Sequence, residues 1–285
     1  MTKKLYRILC TLLVIYTMLG NTIVYAVDDT QKTEAETFNL VTTDLKTGEK
    51  TIEEIVVSNN KDVLEGEPLI KMQAIPRMII GEDEMYEVPD YLMTFLPYST
   101  IGVVSVYYED GSVGKGTGFL IGPNDVVTAA HVIAQDDVSF FTFRFPNDIT
   151  KTYTCNVMSI PQEYYDTQAS EYDWAFFEID EEVGYTRGYC GWSTDISVGN
   201  TVRVIGYPGD RPNGLWDAGK QVKQLNTHLM SYDVDTQAGQ SGSPVILAGT
   251  EGTCVGVHIG HNSTLNRGCR VTERMASVFS LCRNH

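Results

Sequence analysis

Between Tyr91 and Val271 the apolar residues come in short runs separated by turn signals. The runs Ile101–Tyr108, Thr117–Ile121, Asp125–Thr128, Phe140–Phe145, Trp174–Ile179, Thr201–Tyr207, Ser243–Leu247 and Cys254–His258 each read as a strand rich in β-branched and aromatic residues. Glu109-Asp110-Gly111, Gly122-Pro123-Asn124 and Tyr207-Pro208-Gly209-Asp210 break the chain between them. Short strands at this spacing predict an all-β sandwich or a pair of barrels, and argue against alternating βαβ units. The period changes near the end. From Thr272 to Cys282 the apolar residues Met275, Val278, Phe279 and Cys282 recur at i, i+3, i+4 and i+7, which predicts an amphipathic C-terminal helix docked on a barrel.

The first part of the chain has a different texture. Lys3, Lys4 and Arg7 precede an apolar run from Ile8 to Leu19, and Val24-Tyr25-Ala26 ends on a small residue. That order of charged, apolar and small residues predicts a secretory signal over residues 1–26. A membrane anchor needs about twenty uninterrupted apolar residues, and Gly20-Asn21-Thr22 interrupts this run early. An uncleaved signal acting as an anchor is the alternative reading. Residues 27–77 are polar and acidic, with Phe38 as their one aromatic residue. Such a stretch cannot bury much of a core alone, so it is expected to be a propeptide or a mobile arm. Residues 78–285 would then form the working domain.

Charge narrows the range of partners. The 285 residues carry a net charge of −16, and from Met78 onward 12 Lys and Arg face 26 Asp and Glu. An acidic balance of this size excludes nucleic acid or an anionic membrane as the natural partner and suits solubility after export. Cys10 falls within the signal, leaving Cys155, Cys190, Cys254, Cys269 and Cys282. Export permits disulfides, an odd number leaves one thiol over, and Cys254 with Cys269 is the pairing weakly preferred. The spacings match no zinc pattern, and His258 with His261 lacks Cys or acidic companions. No cofactor is expected. Exposed acids such as Asp136 and Asp137 leave room for structural calcium without a motif to indicate it.

Three segments carry candidate chemistry in a fixed order: Thr128-Ala129-Ala130-His131, Asp173-Trp174-Ala175, and Gly239-Gln240-Ser241-Gly242-Ser243-Pro244. A serine hydroxyl is a poor nucleophile until a base takes its proton, and that base needs a carboxylate to hold its tautomer. His131, Asp173 and Ser241 supply these roles in the order His, Asp, Ser, the order used by chymotrypsin-type double barrels. Gly239 leaves room for two backbone N–H groups, of Gly239 and Ser241, to converge on an oxyanion. Each segment alone has an ordinary reading as a glycine turn, a core histidine or a strand-initiating acid. Their joint presence in a secreted β-rich chain points to a serine hydrolase.

The detail around these segments is more specific. Thr117-Gly118-Phe119-Leu120-Ile121-Gly122-Pro123 leads into the histidine segment, Gly206-Tyr207-Pro208-Gly209-Asp210 follows the acid, and Asp235-Thr236 precedes the serine loop. With Val257-His258 and Asn266-Arg267-Gly268-Cys269-Arg270-Val271, the chain from about Ile79 to the last helix resembles the glutamyl endopeptidases secreted by Gram-positive bacteria. The resemblance implies a trypsin-like double six-stranded antiparallel β-barrel with the active site in the cleft between barrels. It implies His131 as general base, Asp173 as its orienting acid and Ser241 as nucleophile. It also implies cleavage after Glu, less well after Asp, with His258 and Thr236 lining the specificity pocket.

Physical chemistry agrees that an imidazole and a hydroxyl suit a carboxylate in a partly desolvated pocket. Asp235 dissents. It stands where trypsin places the acid that receives Arg or Lys, so basic specificity is the enzymatic alternative, and a non-catalytic protease-like binding module is the alternative of another class. The resemblance further implies a zymogen. Pro76-Arg77-Met78-Ile79 looks like an activation junction, so cleavage between Arg77 and Met78 by a separate protease is expected. The expected partners are protein or peptide substrates and that activating protease, with the mature protein an extracellular monomer.

Overall fold

The computed structural model describes residues 35–69, 85–148, 150–211 and 214–283. Residues 1–26, with the expected signal, and the junction at Arg77 and Met78 lie outside the described residues. Among the described residues there are eighteen strands: β1 Thr37–Asp44, β2 Lys50–Val56, β3 Glu65–Gly66, β4 Tyr86–Glu87, β5 Ile101–Tyr108, β6 Val113–Leu120, β7 Asp125–Thr128, β8 Val138–Arg144 and β9 Tyr153–Cys155 come first. They are followed by β10 Val157–Pro161, β11 Ala175–Glu178, β12 Gly191–Ser193, β13 Thr201–Gly206, β14 Trp216–Leu225, β15 Leu229–Tyr232, β16 Pro244–Leu247, β17 Thr253–His261 and β18 Asn266–Arg270. Two helices matter for the site: the single turn α1 Ala130–Ile133 and the C-terminal α2 Glu273–Arg283.

The fold is all-β, as expected. The first sheet runs β2-β1-β10-β11-β7-β6-β5-β8-β9, and β9 passes into β10 through Asn156 alone, so that β9 and β10, counted as one bent strand, make a six-stranded set with β11, β7, β6, β5 and β8. Its interior is filled by Val104, Leu120, Val126, Phe141, Phe143 and Phe177, all within 2% of complete burial. Phe141 and Phe143 meet Phe177 edge to face, at ring separations of 4.8 and 5.9 Å. The second sheet closes on itself: β16, β13, β14, β15, β18 and β17 pair in turn, and β17 pairs back to β16. Closure leaves that six-stranded barrel without a free edge, and Val202, Val204, Met230, Tyr232, Val245 and Val255 fill it.

The predicted helix from Thr272 is α2, which buries Met275, Val278, Phe279 and Cys282. Strands β5 and β7 have the expected bounds, while β14 and β18 escape prediction because their sequences are largely polar, and β15 because four residues are too few to show a period. β14 shows why. On the face turned away from the barrel interior lies Asp217, fully buried, whose carboxylate accepts hydrogen bonds from Tyr86 and Tyr98 at 2.9 and 3.0 Å and pairs with Arg203. A buried acid satisfied on all sides replaces the apolar residue that a periodicity would show.

Two expectations are corrected. All five described cysteines are buried free thiols, and Cys254 with Cys269 cannot pair as read. Cys269 lies opposite Val257 in the β17–β18 ladder, three residues along from Cys254. Of the stretch expected to be a propeptide or else a mobile arm, residues 36–69 are structured, which corrects the mobile-arm alternative alone. β1 pairs with β10 from Leu40↔Pro161 to Asp44↔Val157, and Phe38, Leu40, Val41, Ile55 and Val57 are buried. The segment has too few apolar residues for a core of its own, and the barrel and α2 supply the other half of one.

Candidate active site

The β7–β11 ladder brings the first two candidate residues together. Ala175 stands opposite Thr128, so extending that antiparallel register sets Asp173 against the start of α1, where His131 lies. Asp173 Oδ1 accepts the backbone N–H of His131 at 2.9 Å, and its Oδ2 lies 2.7 Å from the imidazole Nδ1. Asp173 is 6% exposed, so its carboxylate is held by these bonds more than by water. With Nδ1–H donating to the carboxylate, the lone pair of the ring is left on Nε2, the nitrogen that must accept a serine proton.

Ser241 is positioned by its backbone. Its carbonyl accepts the N–H of Thr117 at 2.8 Å, and the Thr117 hydroxyl donates to the carbonyl of Gly239 at 3.0 Å. A Cβ added at Gly116 would touch both Val132 of α1 and the Ser241 carbonyl, so the serine loop lies against the turn that carries His131. Gly239 and Gly242 both adopt positive φ, +95° and +86°. At Gly242 a side chain would collide with the Thr117 carbonyl and the Thr128 hydroxyl.

The loop's amides alternate. Gln240, Gly242 and Ser243 donate to Gln237, His258 and Gln240 carbonyls, whereas among the described residues the amides of Gly239 and Ser241 have no acceptor within the chain. Two free N–H groups flanking a buried glutamine are what an oxyanion would need. Gln240 itself was not singled out by sequence. It is fully buried, its Oε1 accepts the Gln237 N–H at 2.8 Å, and its side chain thereby stiffens the loop from below.

The expected pocket residues are distributed less simply. His258 is 2% exposed and joined to the serine loop by both backbone groups, accepting from Gly242 N at 2.8 Å and donating to Ser243 O at 2.9 Å. Burial, with a smaller contribution from His131 nearby, pushes its imidazole down to about 3, so it is neutral at physiological pH. Tyr232 lies 2.8 Å from Nδ1, and its own burial keeps the phenol protonated. The arrangement that satisfies both is a Tyr232 hydroxyl donating to Nδ1, which leaves the ring proton on Nε2.

Thr236, expected to line the pocket, does not present a free hydroxyl. Its hydroxyl instead donates to Asn266 Oδ1 at 2.7 Å, while Asn266 Nδ2 donates to the Val234 carbonyl at 2.6 Å. Asp235 is exposed to solvent. Tyr232 and Asn266 were not found from the sequence because each acts on its partner from another strand, 26 and 30 residues away.

The family of trypsin-like peptidase domains matches residues 116–257. A glutamyl endopeptidase of Bacillus licheniformis is 30% identical over 247 residues, covering 80% of this chain and 76% of its own. A Bacillus subtilis protein named extracellular metalloprotease is 31% identical over 217 residues, covering 70% of this chain and 67% of its own. A solved Glu endopeptidase in complex with MPD superposes with a TM-score of 0.61 at 25% identity, over 73% of this chain and all of that one. Two barrels carrying a paired His and Asp beside a glycine-loop serine define a trypsin-like peptidase. The chain belongs to the trypsin-like serine protease family, as a homologue of the bacterial glutamyl endopeptidases, and is a serine endopeptidase. Among the described residues no three or more His, Cys, Asp or Glu side chains are grouped to hold a metal ion. Among the same residues no helix is long and apolar enough to cross a membrane.

Proposed function

We propose that this protein is secreted as a zymogen and hydrolyses peptide bonds after glutamate, less well after aspartate, with His131, Asp173 and Ser241 as its triad. In this reading the Ser241 hydroxyl passes its proton to His131 Nε2 as its oxygen attacks the scissile carbonyl. The amides of Gly239 and Ser241 hold the oxyanion, and Asp173 stabilises the imidazolium. Collapse of the tetrahedral intermediate expels the amine, protonated by His131, and leaves an acyl-enzyme that water cleaves by the same steps in reverse. Cleavage after Arg77 by another protease would release the domain from Met78.

The observation that carries the glutamate reading is the state of His258. Its imidazole is buried, neutral and hydrogen-bonded to Tyr232, on a strand bonded directly to the nucleophile loop. A carboxylate entering beside it would reverse the effect of burial, since an opposite charge favours the imidazolium. The exposure of Asp235 weakens the case for basic specificity, because an acid in water does not line a pocket floor.

The test uses peptides that differ only in Glu, Asp, Arg or Phe before the scissile bond. Preferred cleavage after Glu is expected, and preferred cleavage after Arg would overturn the claim. Labelling by a serine-reactive organophosphate should fall on Ser241 and vanish in Ser241→Ala.

A further inference from the structure

We infer that residues 36–69 remain with the protease after processing, as a second chain held without a covalent link and forming part of its sheet. The inference rests on the reading that the chain is cut near Arg77, and it concerns what happens to the piece upstream of the cut.

The segment is built into the fold at both ends. β1 lies inside the sheet between β2 and β10, with five residue pairs to β10, whereas β10 has a single pair, Ser159↔Phe176, on its other side. Removing β1 would strip β10 of its principal partner and leave a long unpaired edge. Phe38 meets the Trp174 ring at 6.5 Å and lies under the Arg274 guanidinium, which binds Glu36 and Glu163 at 2.8 and 2.7 Å. At the other end, β3 pairs with β12, the Trp192 indole N–H donates to the Val63 carbonyl at 2.8 Å, and Gly66 packs flat against the Trp192 ring. Arg283 at the end of α2 donates to the Glu67 carbonyl at 2.6 Å. One short segment therefore ties together the first sheet, the C-terminal helix and a strand of the second sheet.

These contacts are of core quality. Five apolar side chains of the segment are buried, and Ser58 N–H reaches the Ser277 hydroxyl of α2 at 3.0 Å. A pro-segment that merely blocks a cleft lies across it and leaves when cut. This one is seated on β10, α2 and β12, and it touches the site from behind through Trp174, the residue after Asp173. Its predicted role is to hold up the wall that carries the triad's acid. The solved Glu endopeptidase is matched over its whole length by 73% of this chain.

The experiment inserts a recognition site for a sequence-specific protease between Arg77 and Met78 in Ser241→Ala protein, so that neither Arg77 nor self-digestion decides the outcome. After complete cutting, both pieces are expected to co-elute in size exclusion at micromolar concentration and to separate only in denaturant. Elution of the short piece by itself, with the body unchanged in melting temperature, would overturn the inference. Phe38→Ala is expected to speed release of the cut piece by about tenfold or more, since it removes a buried ring. An unchanged release rate would equally count against the seating described here. Failure of trypsin to cut wild-type protein at Arg77 would refute the activation reading while leaving retention to be judged on the inserted site.

Discussion

Asp173 grips His131 at two points, its backbone N–H at 2.9 Å and its imidazole Nδ1 at 2.7 Å, so one carboxylate fixes both the place and the tautomer of the base. Asp173→Asn keeps the shape but offers an amide that can face Nδ1 with a donor, which drives the ring proton to the wrong nitrogen. A loss of about 10⁴-fold in kcat is expected, with little change in KM and an unchanged circular dichroism spectrum. Steady-state kinetics on a chromogenic glutamyl peptide would measure it, and a loss below about tenfold would remove Asp173 from the triad.

Gly242→Ala should be among the costliest single-methyl changes in the chain. The residue has φ of +86°, and its Cβ would strike the Thr117 carbonyl and the Thr128 hydroxyl, both on strands of the first sheet. Left-handed backbone strain alone costs about 1–3 kcal/mol, and the collision adds to it. Urea unfolding should show at least about 2 kcal/mol of lost stability, together with reduced turnover as the serine loop moves away from α1.

His258 makes stability depend on pH in a defined direction. Its folded value of about 3 lies below the ordinary histidine value, so below neutrality the unfolded chain takes up a proton that the folded chain resists. Stability from this group is present in full above about pH 6.5 and is lost as the pH falls toward 3. Between pH 8 and pH 5 the loss is about 2 kcal/mol. Unfolding curves of His258→Gln at the two pH values should lack this increment, and an identical pH dependence would show that the imidazole titrates alike in the folded and unfolded chains.

Asp125 acts in the opposite sense. It is 3% exposed, and burial, reinforced by Glu178 directly across the ladder, raises its carboxyl to about 7, with the Cys282 thiol beside it as a hydrogen-bonding neighbour. The folded state holds a proton that the unfolded state releases near pH 4, so stability falls as the pH rises through this range up to about 7. Asp125→Asn keeps the neutral form at every pH and should be more stable relative to wild type at pH 8 than at pH 4, by up to about 4 kcal/mol. Calorimetry at both pH values would reveal it, and a constant difference would place the charge of Asp125 in contact with water.

The two halves of the site were legible to different degrees. His131, Asp173 and Ser241 stand in short motifs whose neighbours are needed for local reasons: a strand end before the histidine, a strand start after the acid, glycines around the serine. Local geometry of that kind is written in adjacent residues. Tyr232 and Asn266 offered no such signal. Their roles depend on β15, β17 and β18 lying side by side, and neither the four-residue β15 nor the polar β18 stands out in the sequence pattern.

Residues 36–69 show the same division. Their composition correctly says that they cannot form a core unaided, because five buried apolar residues do not repay the entropy of ordering some thirty others. Composition is silent about surfaces contributed from elsewhere in the chain, and β10, Trp174 and α2 contribute them here. By itself the sequence determined the chemistry-bearing residues, their order and the all-β class, since hydrophobic period, turn residues and motif spacing are local properties. Only the tertiary structure decided the tautomer of His258, the exposure of Asp235, the partner of Thr236 and the seating of residues 36–69. Each of those is set by groups that are distant along the chain and adjacent in space, where burial and hydrogen bonding act.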